Sequence, residues 1–191
     1  MWRRTAQGLI TLLLMVTFAD GDPVKKSRKV VETPQGTIEW REWEGAKGSG
    51  VATVLRDLSQ EGRASLKRDV DRAQDFISKY VSQHKRQNDL LEDLDAAFTA
   101  WTSSPSASRQ AAEDVVRVCG AAYGDYCVGK LGFRWAVVRD EHGTATALVR
   151  DQPPTRVFPF TSIQYRIEDR KTDFFVAMYV ALTHTVAKAS K

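Results

Sequence analysis

The chain has 191 residues, with 28 lysines and arginines against 24 acidic residues and a formal net charge of +4. This length is enough for one domain with a hydrophobic core, and it predicts a single domain rather than two. Without residues 1–19 the chain loses Arg3 and Arg4, and 26 basic against 24 acidic residues leave a charge of +2. So small an excess, with no zinc-finger spacing and no RNA-binding aromatic motif, predicts no nucleic-acid partner.

Residues 1–19 have the pattern of a secretory signal peptide. A short basic start at Arg3 and Arg4 precedes an apolar block over 9–19, which ends in small residues. The block is about half of the roughly 20 apolar residues that a membrane-spanning helix needs, so an uncleaved anchor is the weaker alternative. We therefore expect cleavage after Ala19, export to the periplasm or the extracellular space, and no stable membrane span afterwards.

A β-hairpin is predicted near the amino terminus of the mature chain. Residues 20–28 are polar and charged, which is typical of a flexible lead-in to a single domain over 29–191. Strand-like segments at 29–33 and 37–43 flank a turn that contains proline and glycine. The pattern therefore predicts that the domain begins with this hairpin.

Trp40 and Trp43 are candidate binding residues in the second arm of that hairpin. Because they are three positions apart, they point to opposite faces of a regular strand, so one of them is expected at an exposed edge. Exposed aromatic side chains are favoured anchors for a partner. The alternative is that both rings cover the edge of the core.

Three helices are predicted in the middle of the chain. Apolar residues at steps of three and four indicate helices over about 60–84, 90–101 and 109–130. A serine-rich interruption at 103–108 separates the last two, and one of its serines is expected to cap the third helix. Gly132 is expected to end that helix.

Gly120 and Gly124 lie four residues apart inside the third predicted helix. Each costs up to about 1 kcal/mol of helix stability relative to alanine, so their side of the helix is expected to meet something at close range. Tight packing against another element is the first interpretation. A ligand held close to the backbone is the second, and it makes both glycines candidate binding residues.

Cys119 and Cys127 are the two cysteines of the chain. In a continuous helix their α-carbons are about 12 Å apart, whereas a disulfide tolerates less than about 7 Å. We therefore expect two buried free thiols. A bridge would require the helix to break, for example at Gly124.

The last part of the chain is predicted to be mainly strands. Segments 133–139 and 144–150 read as a second hairpin, and 156–169 reads as a further strand because apolar and polar residues alternate within 163–167. A helix is expected over 173–189. Strands and helices are thus segregated, which predicts an α+β fold: an antiparallel sheet packed on one face by helices, with an N-terminal hairpin.

No catalytic residue, metal site or cofactor site is predicted. His84, His142 and His184 lack the spacing of a helical zinc site, and neither a nucleophile elbow nor a phosphate-binding loop is found. An enzyme would have its best candidate in Asp125, paired with Arg134 or His142.

Four short motifs of the second half carry a family resemblance. In chain order they are Gly120-x-x-x-Gly124, Leu131-Gly132-Phe133-Arg134-Trp135, Asp140-Glu141-His142-Gly143 and Val157-Phe158-Pro159. In this order they resemble the bacterial domain-of-unknown-function family 3806, over about residues 110–188. Asp125 departs from the glutamate that is frequent there in the family. The resemblance implies an α+β fold and no reaction, so it transfers no catalytic residue.

Taken together, these patterns favour a small exported bacterial protein that acts by binding a protein partner. An immunity protein or inhibitor directed against a secreted toxin is one concrete version. The alternatives are an unrecognised, hydrolase-like envelope enzyme and a structural role in the envelope. The identity of the partner and the oligomeric state are left open.

Overall fold

The structure is a computed structural model that describes residues 10–12, 25–33, 36–44, 53–86, 89–140 and 143–188. Side chains are described from residue 53 onward, except those of residues 84 and 188. The predicted α+β fold is confirmed, with helices packed against a four-stranded antiparallel sheet.

The amino-terminal strands form a small sheet of their own. They are β1 (Ile10–Leu12), β2 (Lys25–Thr33) and β3 (Gly36–Glu44), in the order β1-β3-β2. β2 and β3 pair in the antiparallel sense and form the predicted hairpin, whereas β1 runs parallel to β3. β2 begins at Lys25, so the hairpin includes the last residues of the predicted lead-in.

The main sheet has the order β4-β5-β6-β7, and its neighbouring strands are antiparallel. Its strands are β4 (Thr53–Asp57), β5 (Arg134–Asp140), β6 (Gly143–Asp151) and β7 (Pro154–Val157). The predicted β5–β6 hairpin is confirmed. The sequence did not predict β4, whose residues are mostly exposed and lack the alternation of a half-buried strand.

Among the described residues, four α-helices lie between β4 and β5: α1 (Gln60–Asp71), α2 (Ala73–Tyr80), α3 (Leu90–Ser103) and α4 (Ala112–Leu131). The helix predicted over 60–84 is thus divided at Arg72. The backbone of Arg72 stays near helical values (φ −74°, ψ −11°), so the two halves meet at a kink rather than a loop.

The two ends of α4 test the predicted start and stop signals. Gly132 ends the helix as expected, in the left-handed conformation (φ 68°) that glycine adopts without strain. The predicted serine cap is wrong, because Ala111 occupies the N-cap position. Ser108 lies in a separate turn, where its hydroxyl donates to the carbonyl of Pro105 (3.2 Å).

The strand predicted over 156–169 is wrong beyond Val157. A helix, α5 (Pro159–Glu168), follows instead, and proline is well suited to its first turn. Pro159, Ile163 and Arg166 are buried at steps of four and three, which is the helical period. The final helix, α6 (Phe175–Lys188), is confirmed.

Among the described side chains, the core consists of two clusters, on opposite faces of the main sheet. The larger is rich in aromatic rings from the helices, and Phe98 meets the rings of Phe174 and Phe175 edge-on at 5.0 and 6.0 Å. The smaller includes Ala136 and Val138. In the part of the chain described here, no helix is long and apolar enough to cross a membrane.

Candidate functional site

The two glycines of α4 meet aromatic rings. A Cβ built on Gly120 would lie 2.5 and 2.9 Å from ring carbons of Phe160, and one on Gly124 would come within 3.0 Å of ring carbons of Trp135. The two rings stack on each other at 5.7 Å and 28°. The glycines therefore let α5 and β5 pack closely on α4, and the rings fill the space beside the helix backbone.

Trp40 and Trp43 both lie in β3, opposite Lys29 and Lys26 of β2. Their side chains are outside the described part of the structure. Their role as binding residues therefore stays a prediction.

The enzyme candidates are not brought into one described site. Asp125 is exposed on α4, while Arg134 pairs with Asp57 (2.5 Å) and Asp151 (3.5 Å). His142 lies outside the described residues. Across the described ranges, no three His, Cys, Asp or Glu side chains are grouped so that they could hold a metal ion.

A network of charges fixes α1 to α4. Arg117 donates to the buried carboxylate of Asp69 (2.7 Å), and Arg72 donates to Asp114 (2.7 Å) and weakly to Asp69 (3.4 Å). The hydrogen bond from Arg72 holds the pKa of Asp114 below its usual value. Because each carboxylate in the network is bonded to an arginine, we assign these four residues a structural role.

Asp95 joins α3 to the start of α6. Its carboxylate accepts hydrogen bonds from the backbone N–H groups of Phe174 (2.6 Å), Phe175 (2.8 Å) and Val176 (3.1 Å). It thus caps α6 from another helix, although burial still raises its pKa to about 6. The sequence did not predict this role, because a buried aspartate in an amphipathic helix has the same sequence pattern as a solvated one.

A cluster of polar groups with aromatic rings lies where α4 and α6 meet the start of α3. We call it the tyrosine cluster: Asp89, Tyr123, Tyr126, Cys127 and Tyr179. The rings of Tyr126 and Tyr179 meet edge-on at 5.2 Å, and the Tyr126 hydroxyl donates a long hydrogen bond to Asp89 (3.5 Å). Tyr123 and Cys127 lie beneath them in the core.

The hydroxyl groups of this cluster are hydrogen-bond donors. Burial raises the pKa of all three tyrosines, so their hydroxyls keep their protons at neutral pH. The Tyr123 hydroxyl is fully buried, and its neighbour in the core is the thiol of Cys127. Tyr126 and Tyr179 are only half-buried, so the outer part of the cluster is accessible from solvent.

The described fold is that of a small α+β domain, with the tyrosine cluster at the edge of its helical layer. Residues 98–179 match the model of a family described as Domain of unknown function (DUF3806). The match confirms the predicted resemblance over a segment, which begins within α3 and ends within α6. No curated protein and no solved structure matches the chain.

Proposed function

We propose that this chain is an exported protein of a bacterial periplasm or extracellular space that binds a protein partner. An immunity or inhibitor role against a secreted toxin is one version of the proposal. Export is supported by the basic start and apolar block of residues 1–19. Binding is supported by the half-buried Tyr126–Tyr179 pair.

The chemistry of this pair suits a protein interface. Tyrosine is enriched among the residues that dominate interface energies, because one end of the ring is apolar and the other end forms hydrogen bonds. Both rings pack against the core, which restrains them before any partner arrives. Restrained rings lose little conformational freedom on binding, so more of the contact energy is retained.

Charged groups border the pair, as is usual at the rim of an interface. Asp89 is held in place because its other carboxylate oxygen caps α3, accepting from the backbone N–H of Leu91 (2.9 Å). The ammonium group of Lys130 lies 5.9 Å from the ring centre of Tyr126. A partner surface with an apolar centre and both hydrogen-bond donors and acceptors would complement this arrangement.

Photo-crosslinking tests the proposal. The mature chain, which begins at Asp20, carries a photoreactive phenylalanine analogue in place of Tyr179 and is irradiated in envelope extract. The matched control carries the same group at Tyr165, another half-buried tyrosine, on α5. We expect one protein to be crosslinked from position 179 and not from 165. The same products from both positions, or none from 179, would contradict the proposal.

The export part of the proposal is tested separately. The full chain is expressed in a bacterium, and the mass of the protein in each cell fraction is measured. We expect a periplasmic or secreted species that begins at or close to Asp20. A chain that keeps residues 1–19 and stays in the cytoplasm would contradict export. The hydrolase-like alternative has no supporting observation among the described residues.

A further inference from the structure

Arg166 is the one lysine or arginine that is buried in the described part of the chain. It lies on α5 with 1% of its surface exposed. Its Nε and Nη2 atoms are buried and have no hydrogen-bond partner, and the described residues offer it no ion pair. The arginines of the α1–α4 network, by contrast, are each bonded to a carboxylate.

A buried cation without a partner is costly, because it gives up hydration and receives nothing in return. Burial lowers the pKa of Arg166, yet a guanidinium keeps its proton at any ordinary pH. The centre of the Phe174 ring lies 5.7 Å from the guanidinium carbon, and its cation–π attraction replaces only part of the lost hydration. The nearby charge of Asp169 acts in the opposite direction, raising the pKa, but that residue is exposed.

The two unbonded donors define the group that is missing. Nε–H and one N–H of Nη2 point the same way from one edge of the guanidinium. This edge binds a carboxylate through two parallel N–H···O bonds. A carboxylate carries a single negative charge, which matches the single buried positive charge of Arg166.

We propose that Arg166 is the anchor of a binding site for one carboxylate group. The Nε/Nη2 edge holds the two oxygens, and the Phe174 ring lies against the guanidinium. Arg166 and Phe174 are not part of the tyrosine cluster, so this site is independent of the proposed protein interface. The carboxylate belongs either to a small organic acid or to the end of a polypeptide chain.

The turn between α5 and α6 is the segment that we expect to open for a carboxylate to reach Arg166. The backbone N–H of Lys171 donates to the backbone carbonyl of Arg166 (2.8 Å), which ties the turn to the helix position that carries the guanidinium. Arg170 and Asp173 both have left-handed backbones (φ 54° and 57°), which non-glycine residues rarely adopt. Such strain favours this turn as the segment that opens, and Arg170 and Lys171 give the turn positive charge.

Nuclear magnetic resonance of arginine side chains tests the site directly. The Nε–H signal of Arg166, identified by its loss in Arg166→Lys, is followed while acetate is added at constant ionic strength. We expect a saturable shift with acetate, none with the neutral isostere acetamide, and none in the Nε–H signal of Arg117, which already donates to Asp69. An Arg166 signal that does not respond to any carboxylate tested would overturn the proposal.

A peptide with a free carboxyl terminus and its amidated form distinguish the two sources. If the free peptide binds at least tenfold more tightly than acetate and its amide does not bind, the site takes a chain end. If acetate binds as tightly as the free peptide, the site takes a small acid. Binding of the amidated peptide as tightly as the free one would overturn the carboxylate assignment.

Thermal unfolding gives a second readout. Acetate is expected to raise the unfolding midpoint of the wild-type chain, because it binds the folded state. Arg166→Lys, which keeps the charge but loses the two-donor edge, and Arg166→Met, which also loses the charge, should lose most of that rise. Arg156→Met is the control and should retain it. An equal rise in Arg166→Met would overturn the proposal, and the resonance experiment decides if Arg166→Met does not fold.

Discussion

Substitution of Gly124 by alanine tests how α4 packs on the sheet. A Cβ at this position would lie 3.2 Å from Cε2 of Trp135 and closer still to two further carbons of the ring. Because this ring is stacked on Phe160, it has to move together with that neighbour or tilt out of the stack. The added methyl group therefore strains the contact between α4 and β5.

Two effects of opposite sign decide the outcome. Alanine in place of glycine favours the helix by about 1 kcal/mol. Overpacking a tight contact costs about 1–3 kcal/mol, and the stacked ring places Gly124 in the upper part of that range. We expect Gly124→Ala to lower the free energy of unfolding by about 1–2 kcal/mol.

Urea unfolding followed by circular dichroism measures the difference. Gly129→Ala is the matched control, because it lies on the same helix and its added Cβ would meet nothing within 4 Å. This variant should be stabilised by about 0.5–1 kcal/mol. Removing the ring with Trp135→Leu should abolish the penalty of Gly124→Ala. Equal stabilisation by both glycine substitutions would refute the packing argument.

Three further predictions follow from burial and backbone geometry. Burial raises the pKa of Asp95 to about 6, above its unfolded value of 3.8. Between these two pH values the folded chain therefore keeps a proton on Asp95 that the unfolded chain has lost. The free energy of unfolding should therefore fall by about 2 kcal/mol as the pH rises from 4 to 7, relative to the change seen in Asp95→Asn. Urea titrations at a series of pH values measure this difference, and a rise with pH would contradict the prediction. Arg170→Gly relieves a left-handed backbone and should stabilise the chain by about 0.5–1 kcal/mol in thermal unfolding, whereas a loss of stability would count against strain at this residue. Burial raises the pKa of Cys127 to about 12 and also raises the pKa of Cys119. A thiol reagent should therefore modify both cysteines only as fast as the chain unfolds, and immediate reaction in native buffer would contradict their burial.

Long periodic segments were predicted well, because their pattern repeats over several turns. α4 and α6 are examples, and Gly132 correctly marked the end of α4. The error at α5 has a specific cause. Ile163 and Ile167 fit the helical step of four and, together with the residue between them, also fit the strand step of two. Choosing the strand placed Arg166 on a polar face, although in the helix it is turned into the core.

The candidate sites could not be predicted to the same extent. Tyr126 and Tyr179 are more than fifty positions apart, on separate helices, and only the tertiary fold brings their rings to 5.2 Å. Asp95 likewise reaches its three N–H partners at the start of α6 across about eighty positions. Gly120 and Gly124 did give a usable signal, because glycine inside a helix implies a close neighbour.

The central claim, that the chain binds a protein through the Tyr126–Tyr179 pair, is tested most directly by affinity. The protein crosslinked from position 179 is titrated against the mature wild-type chain, Tyr179→Ala and the control Tyr165→Ala. We predict that Tyr179→Ala weakens binding at least tenfold, about 1.4 kcal/mol or more, while Tyr165→Ala binds like the wild type. Equal affinities for all three chains would contradict the account.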